Sequence, residues 1–334
     1  MENLETELQT FQRIDSLHNE SLLECFKGIM LNGWGQSGPN FHAYMHQQNR
    51  YFINSDYYYK GVLEFFHLTS INNLWSILNS RAFRMYNLHS SQDVEEYAYA
   101  AKILELSDKH IDIGKKYSYT LSFCPISELK NKIIWEKYGN NFGGAAIVFT
   151  IENDPVNWMN FHISEVKYDE PDSFLSYRKR VKQIETEYQG IDLSCDLSQL
   201  ICFHKTAKWH GEKEVRIATY NPYQLLEEYW KYSKSEFRLE DGRNRITNYI
   251  EMPLWVDNDS HLIKSYDKPE LDRLQNLPND YFDTRPKIKI KNILIGINSG
   301  ILIDEFDKFR SMLSETIRFN YGYEIDIDYN FFEP

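Results

Sequence analysis

Hydrophobic residues follow two patterns along this chain, and together the patterns predict a mixed fold. Short runs rich in β-branched and aromatic residues predict strands at 62–69, 84–85, 117–123, 145–149, 161–168, 214–220 and 287–295. Apolar positions three and four apart predict helices after Ser70 and at 94–106, 174–187, 199–205 and 304–317. Because strands outnumber helices and the helices fall between them irregularly, the pattern favours an α+β fold over a doubly wound parallel sheet.

The first 60 residues differ from the rest of the chain. Leu4, Leu8 and Phe11 keep helical spacing, and so do the apolar residues between Leu22 and Met30, so two amphipathic helices are expected. We therefore predict an N-terminal helical extension at 1–60 and an α+β domain at 61–334. Within that domain, residues 221–285 are charged and Tyr-rich with few periodic apolar positions, which indicates an insertion.

In three short stretches, polar side chains of types that serve in catalysis or ligand binding lie next to apolar runs. They lie at residues 66–69, 135–138 and 212–216. Folding alone does not require His, Tyr and Glu at such places, whereas a pocket that holds a ligand with a few convergent polar groups does. The three stretches therefore predict a binding or catalytic cleft built at strand ends.

Composition limits the classes of function. The 334 residues include 37 basic and 49 acidic side chains, and the net charge of −12 argues against a surface coated with phosphate-binding groups. Aromatic residues make up 15% of the chain, enough for cores, stacking surfaces and interfaces alike. The chain has no run of about 18 apolar residues, and its cysteines are too far apart for a CxxC pair. We therefore expect no membrane span and a reduced, cytoplasmic location.

Several common catalytic motifs are absent. The chain has no GxxxxGK[ST] phosphate loop and no GxSxG nucleophile elbow, and its cysteines do not cluster as zinc ligands. Residues 33–38 fit GxGxxG, but the dinucleotide fingerprint leaves a strand and opens a helix, so an ordinary loop is the better interpretation. A metal-dependent nuclease stays open, because carboxylate sites for Mg²⁺ leave little linear signature. Its candidate ligands are Asp93, Glu96, Glu212 and Glu214.

The three stretches and several further motifs follow one another along the chain in an order that is similar to that of a large bacterial group of proteins, domain of unknown function family 2971. The likeness begins at residues 66–70 with the helix that follows, and it covers roughly residues 62–317 in order. The family's loop Asn-Asp-Pro-x-Glu is kept in part, as Asp93 and Glu96. The other matching motifs are Ser122 with Phe123, Trp135 with Tyr138, the strand at 144–149, Lys205 with Trp209, the alternating Glu212, Glu214 and Arg216, and the late strand at 294–296.

The strand with His67 and Thr69, followed by an Asn-Leu-x-x-Ile-Leu helix, is also similar to ADP-ribosyltransferases that modify nucleic acid bases. That resemblance implies an ADP-ribosyltransferase-like split sheet, mixed or antiparallel, and NAD as substrate. It implies three catalytic residues: Glu214 as the acidic residue, Tyr138 stacking on nicotinamide, and His67 holding a ribose or the nicotinamide half. The other implied NAD-binding residues are Thr69, Asn73, Ser122, Trp135 and Arg216, and the implied acceptor-binding residues are Glu212, Lys205 and Trp209.

The chemistry of NAD cleavage suits these residue types. Breaking the nicotinamide bond passes through an oxocarbenium-like state, as glycoside hydrolysis does. A carboxylate such as that of Glu214 stabilises the positive charge of this state. An aromatic face holds the flat nicotinamide, and the neutral imidazole of His67 can donate to a hydroxyl. Arg216 is a candidate bidentate donor to the pyrophosphate.

Each of these residues also has a purely structural interpretation. His67 can bond backbone beneath the sheet, and Trp135 and Tyr138 can fill a core. Lys205 and Trp209 can pack at a helix end, and residues 212–216 can form a surface ion-pair ladder.

These alternatives leave more than one function open. The leading prediction is a transferase that modifies RNA or DNA ahead of protein, as a bacterial toxin or antiphage effector with an antitoxin or other neutralising partner. The alternatives are a nucleotide sensor without turnover, a scaffold whose cleft is vestigial, and the nuclease.

Overall fold

The computed structural model describes residues 2–46, 48–91, 93, 95–168, 171–220, 234–240, 243–256 and 285–330. Its α-helices are α1 (Glu2–Cys25), α2 (Ile71–Ser80), α3 (Ala98–Ile103), α4 (Asp108–Tyr117), α5 (Lys132–Tyr138), α6 (Asp172–Glu187), α7 (Ser198–Ile201) and α8 (Phe306–Tyr321). Its strands are β1 (Leu31–Ser37), β2 (Asn40–Met45), β3 (Glu64–Thr69), β4 (Ala82–Asn87), β5 (Ser118–Pro125), β6 (Ala145–Ile151), β7 (His162–Glu165), β8 (Asp192–Cys195), β9 (Val215–Tyr220), β10 (Lys234–Glu240), β11 (Arg243–Pro253), β12 (Ile288–Gly296) and β13 (Asp326–Asn330). The α+β class is confirmed. None of the described helices is long and apolar enough to cross a membrane.

A large mixed sheet forms the centre of the molecule. Its strands run in the order β10-β11-β4-β5-β3-β6-β12-β13, and β9 joins β5 from outside this path and carries β7. The pairs are antiparallel except β12 with β13, which are parallel. Strand β6 lies between β3 and β12 in the middle of the sheet, which explains why nearly all of its residues are apolar and buried.

Strand β5 is where the sheet divides. Strand β4 pairs near the start of β5, β3 pairs with its last two residues, and β9 runs along residues 118–123. Helix α2 connects β3 to β4 and begins at Ser70, whose Oγ caps the helix by accepting a hydrogen bond from the backbone N–H of Asn73. Strands β3 and β4 therefore reach β5 at different points, and α2 closes the connection between them.

The two largest apolar cores among the described residues support this arrangement. The larger one packs the central sheet against α2 and α8. Its centre is a group of aromatic rings whose centroids lie 4.6 to 5.8 Å apart, and the group consists of Phe65, Phe83, Phe123 and Phe149. The second core lies beneath α1 and α6 and includes Phe26, Phe174 and Tyr177.

The first 60 residues contain one α-helix where two were predicted, so the second predicted helix is wrong. Helix α1 ends at Cys25, and Gly28 then adopts a left-handed φ of +80°, with the Asn54 carbonyl oxygen only 2.1 Å from where a Cβ would stand. The chain continues as the hairpin β1–β2, so residues 33–38, predicted as a loop, form strand β1 and its turn. Strand β2 pairs with β8, so this segment shares a sheet and a core with residues far along the chain.

Part of the predicted insertion at 221–285 belongs to the central sheet. Strand β11 pairs with β4 over residues 82–86 and with β10 on its other side, so this hairpin extends the central sheet. Thr247 and Tyr249 are buried while their neighbours are less so, which is the alternation of a strand with one covered face. The remainder of the predicted insertion, at 221–233, 241–242 and 257–284, lies outside the described residues.

Candidate functional site

A cleft of about 850 Å³ opens between β3, β4 and β5, bordered by α2 and by the residues just before β9. Five separate stretches of chain contribute predicted site residues to its wall. These residues are His67, Thr69, Asn73, Ser122, Tyr138, Lys205, Glu212, Glu214 and Arg216. The structure thus brings them to one place, while their chemical roles stay predictions. Trp135 and Trp209 do not line the cleft.

Glu214 stands immediately before β9 and is held by two cations. Arg216 Nε donates to Glu214 Oε1 at 2.6 Å, and Lys205 Nζ donates to Oε2 at 2.5 Å. Burial alone raises the pKa of a carboxyl group, but here the charges of Arg216 and Lys205 outweigh it and hold the pKa of Glu214 well below its usual range. The backbone N–H of Glu214 donates to Tyr168 Oη at 2.9 Å. Glu214 is therefore a fixed and ionised carboxylate on the cleft wall.

Each of the three side-chain nitrogens of Arg216 has an acceptor within the protein, which argues against the predicted role as pyrophosphate donor. Its Nε bonds Glu214, its Nη1 donates to the Cys202 carbonyl oxygen at 2.6 Å, and its Nη2 pairs with the Glu96 carboxylate. The residue is 1% exposed. A buried guanidinium needs hydrogen-bond acceptors around it. Arg216 donates to Glu214, Glu96 and the Cys202 carbonyl oxygen, and so holds both carboxylates in place.

Glu212 receives donors from three directions. Lys205 Nζ lies 2.9 Å from Oε2, Lys137 Nζ lies 2.8 Å from Oε1, and the Tyr138 hydroxyl donates to the same Oε1. Burial, assisted by the charge of Glu214, raises the pKa of Glu212 to about 7 in spite of Lys137. The two neighbouring carboxyl groups therefore differ: Glu214 stays ionised, and Glu212 exchanges a proton near neutral pH.

The two aromatic residues of α5 divide between the core and the cleft. Trp135 is completely buried, its Nε1 donates to the Leu129 carbonyl oxygen at 2.8 Å, and its ring lies parallel to that of Phe142. Tyr138 ends the helix and is 41% exposed. Trp135 is thus a core residue and not the ligand contact that was predicted, because the inner face of α5 carries it beneath the cleft wall.

His67 is held in one tautomer. Its Nδ1 lies 3.1 Å from the carbonyl oxygen of Ser122, and because a carbonyl only accepts, Nδ1 carries the proton. Burial lowers the pKa of the imidazole, so the ring is neutral and Nε2 is an acceptor. The expectation that neutral His67 donates to a ligand hydroxyl is therefore reversed: the ring can accept a hydrogen bond from such a hydroxyl.

Trp209 anchors the loop before α3. Its Nε1 donates to Asp93 Oδ2 at 2.6 Å, and Lys137 Nζ lies 3.7 Å from a Trp209 ring centroid. The same loop supplies Glu96 to Arg216. The family-like pair of Asp93 and Glu96 was the available signal that this loop belongs to the site. Sequence reasoning left Glu96 out of the transferase assignment, although it completes the binding of Arg216.

The carboxylates at the cleft are neutralised by protein cations. Lys205 lies within 4 Å of Glu96, Glu212 and Glu214, and Arg216 pairs with two of these three. A divalent metal ion would have to displace both cations from this cluster. Among the described residues, no group of His, Cys, Asp and Glu is arranged to hold a metal ion. The cluster therefore gives the nuclease alternative no support.

The rim formed by β4 carries residues that sequence reasoning did not single out. Arg84 Nη1 donates to Glu236 Oε2 at 2.5 Å, and the Tyr86 hydroxyl donates to Glu236 Oε1 at 2.9 Å. The Arg84 guanidinium also lies 4.7 Å from the ring centroid of Tyr249. Alternation along β4 puts Arg84 and Tyr86 on one face, but Glu236 lies in the predicted insertion and left no signal.

Comparison with known proteins gives one match. A family model described as "Protein of unknown function (DUF2971)" matches residues 134–217, about a quarter of the chain. This segment contains Tyr138, Lys205, Glu212, Glu214 and Arg216, so most of the cleft's charged residues fall within the matched part. No curated protein and no solved structure matches the chain. The similarity to ADP-ribosyltransferases therefore stays a prediction.

Proposed function

We propose that the cleft binds NAD, cleaves its bond between nicotinamide and ribose, and transfers ADP-ribose to a macromolecule. The observation that carries the proposal is the fixed, ionised carboxylate of Glu214 in the same cleft as neutral His67 and the exposed ring of Tyr138. A cleft of about 850 Å³ is within the usual size range of ligand pockets, roughly 300–1,000 Å³.

Glu214 is suited to the step in which the bond breaks. The C1′–N bond of the nicotinamide riboside half breaks, and its electron pair passes to the pyridinium nitrogen, leaving an oxocarbenium-like ribose. Because Arg216 and Lys205 keep Glu214 ionised and fixed, its charge requires no reorganisation as positive charge grows at C1′.

The remaining polar groups suit the rest of the substrate. Nε2 of His67 accepts from a ribose hydroxyl, and the hydroxyls of Thr69 and Ser122 with the amide of Asn73 supply further hydrogen bonds. The Tyr138 ring offers a flat surface for nicotinamide, while its hydroxyl stays on Glu212.

Glu212 is suited to the acceptor step. The acceptor's nucleophilic atom forms a bond to C1′ and loses a proton, and a carboxyl group with a pKa of about 7 can take up that proton at neutral pH. Lys205, whose Nζ donates to Glu212, assists Glu212 in this step. Trp209 supports the site from outside the cleft through its hydrogen bond to Asp93. We place RNA or DNA ahead of protein as acceptor, in a bacterial toxin or antiphage effector with a neutralising partner, although the net charge of −12 counts against nucleic acid.

The test is label transfer. Purified protein is incubated with NAD labelled in the adenylate part and with total RNA, DNA or cell extract, alongside Glu214→Gln and Tyr138→Ala. We expect transfer by the wild type and its loss in both variants. Glu187→Gln, an exposed carboxylate at the end of α6, is the matched control and should transfer normally.

Because Glu214→Gln leaves two buried cations short of a partner, its folding is checked by circular dichroism before its activity is interpreted. Tyr138→Ala removes an exposed ring and keeps the test valid if Glu214→Gln does not fold. Release of nicotinamide without transfer would identify a glycohydrolase. Binding of NAD with neither product would favour the nucleotide sensor, and cutting of nucleic acid that needs Mg²⁺ but not NAD would favour the nuclease.

A further inference from the structure

We infer that Arg84 and Tyr86 form the diphosphate-binding subsite of the cleft, and that Glu236 occupies this subsite as an internal competing anion. The inference rests on the proposed function in that it takes the anion to be the diphosphate of an ADP-ribose-containing ligand. The subsite itself requires only a ligand with phosphate oxygens, so its existence can be tested by binding measurements that need no turnover of NAD.

The cations of the cleft differ in how easily they can change partners. Lys205 and Arg216 are 12% and 2% exposed and are bound to carboxylates that are just as buried. Removing such a cation from its partners leaves buried charges uncompensated, which is strongly unfavourable. A ligand phosphate therefore has little prospect of recruiting either of them.

Arg84 is different because its ion pair is at the rim. The side chains of Arg84 and Glu236 are partly exposed, at 31% and 22%, so solvent screens their attraction more than it screens the buried pairs. A ligand that offers Arg84 an equivalent acceptor therefore displaces Glu236 at lower cost than it would displace a partner of Lys205 or Arg216. Among the cleft cations that the structure describes, Arg84 is the one whose partner is readily exchanged.

The arrangement around Glu236 is already that of an anion site. Arg84 donates to one carboxylate oxygen and the Tyr86 hydroxyl donates to the other, so two donors from one strand converge on a single anion. The Tyr249 ring beneath the guanidinium keeps its plane oriented. A planar guanidinium suits phosphate oxygens as well as it suits a carboxylate.

Glu236 comes from β10, which stands last in the order of the described strands of the central sheet and pairs with β11. An end strand is held by fewer backbone hydrogen bonds than a central one. The carboxylate is therefore supplied by a different element from the two donors, and β4, in the interior of the sheet, keeps Arg84 and Tyr86 in place.

The experiment tests whether two substitutions shift the affinity for ADP-ribose in opposite directions. Binding of ADP-ribose and of adenosine is measured by isothermal titration calorimetry for the wild type, Arg84→Gln and Glu236→Gln. Both substitutions break the same ion pair, but only Arg84→Gln removes a donor that the diphosphate needs. We expect Arg84→Gln to weaken ADP-ribose binding on the order of tenfold or more, and Glu236→Gln to strengthen it a few-fold. Adenosine binding should change in neither variant.

The control is Glu105→Gln, which breaks the ion pairs with Arg178 and Lys182 and lies outside the cleft lining. It should leave binding of both ligands unchanged. Tyr86→Phe, which removes one hydroxyl, should weaken ADP-ribose binding less than Arg84→Gln does.

Two results would overturn the inference: a shift of ADP-ribose affinity in the same direction in Arg84→Gln and Glu236→Gln, or equal effects on ADP-ribose and adenosine. Absence of any ADP-ribose binding by the folded wild type would overturn it as well. Opposite shifts without any transfer from NAD would retain this subsite and reject the transferase. Transfer of ADP-ribose that is unchanged in Arg84→Gln would support the transferase and reject this subsite.

Discussion

Two clusters of ion pairs in this protein differ in burial, and the difference indicates what each is for. In the cleft cluster, all side chains are at most 12% exposed, and its members are Glu96, Lys205, Glu212, Glu214 and Arg216. In the α6 cluster, the side chains are 20% to 52% exposed, and its members are Glu105, Arg178, Lys182 and Glu185. Burying charges costs several kcal/mol per ion, whereas exposed pairs gain about 0–1 kcal/mol.

Because its charges are buried, the cleft cluster is an inefficient way to stabilise the folded protein. Apolar side chains of similar volume would fill the same space without the desolvation cost. What the charges provide is a carboxylate that is held in one orientation and kept ionised, beside a second one with a raised pKa. The α6 cluster carries no such constraint, and its charges stay solvated on the surface.

The largest expected effect is that of Arg216→Gln. This change leaves the buried carboxylates of Glu96 and Glu214 without their shared cation, and we expect the free energy of unfolding to fall by about 3–5 kcal/mol. Urea unfolding at neutral pH, followed by circular dichroism, measures this loss. A loss below about 1 kcal/mol would show that the buried cluster is no more demanding than a surface one.

A triple variant distinguishes lost pairing from lost packing. Glu96→Met, Glu214→Leu and Arg216→Met together remove three of the five charges at comparable volume and leave Lys205 paired with Glu212. We expect the triple variant to be as stable as the wild type or more stable, by up to about 1–4 kcal/mol, and to transfer no label. Destabilisation as large as in Arg216→Gln would attribute the loss to shape instead of charge.

The next effect in size is a pH dependence caused by Glu212. Its folded-state pKa of about 7 lies above the ordinary 4.5, so the folded protein binds this proton more tightly than the unfolded chain does. The stabilisation is complete below about pH 4.5 and is lost as pH rises through about 7. Glu214 has the opposite sign: its lowered pKa stabilises the fold above its ordinary pKa, and this contribution is lost on acidification.

Glu212→Gln removes this contribution, and titrating groups that do not interact with Glu212 cancel in the difference. Relative to the variant, the wild type should lose stability between pH 4.5 and 8, on the order of 2 kcal/mol after a discount for solvent screening. Urea unfolding at several pH values measures the difference. A difference that rises with pH would mean that the donors on Glu212 outweigh its burial and that its pKa is lowered instead.

The comparison of clusters also shows how much of the site the sequence could predict. His67, Tyr138 and Glu214 stand where polar residues interrupt or end apolar runs, so local pattern singled out their stretches, whereas the resemblance to ADP-ribosyltransferases selected the three residues themselves. Their gathering into one cleft depends on the pairing of β3, β5 and β9, which the ordered likeness to a family implied but no spacing shows.

Other parts of the site had no local signal. Arg84 and Glu236 meet across 152 positions of sequence, because β11 places the hairpin on β4. Trp135 and Tyr138 share a helix three residues apart, and only tertiary packing decides that one fills the core while the other lines the cleft. In the α6 cluster, by contrast, Arg178 and Lys182 stand four residues apart on one helix, so local spacing alone puts them on the same face.

The smallest effect is expected in that α6 cluster. Arg178→Gln breaks the pairs with Glu105 and Glu185, whose three side chains are 20% to 48% exposed and therefore screened in part by solvent. We expect the free energy of unfolding to change by less than about 0.5 kcal/mol in the same urea assay, and to approach zero at 1 M salt, where the screening length is about 3 Å. The loss caused by Arg216→Gln should persist at that salt concentration, because its partners are shielded from solvent. Equal sensitivity of the two variants to salt would contradict the assignment of the cleft cluster to the interior and remove the argument that its charges are kept for chemistry.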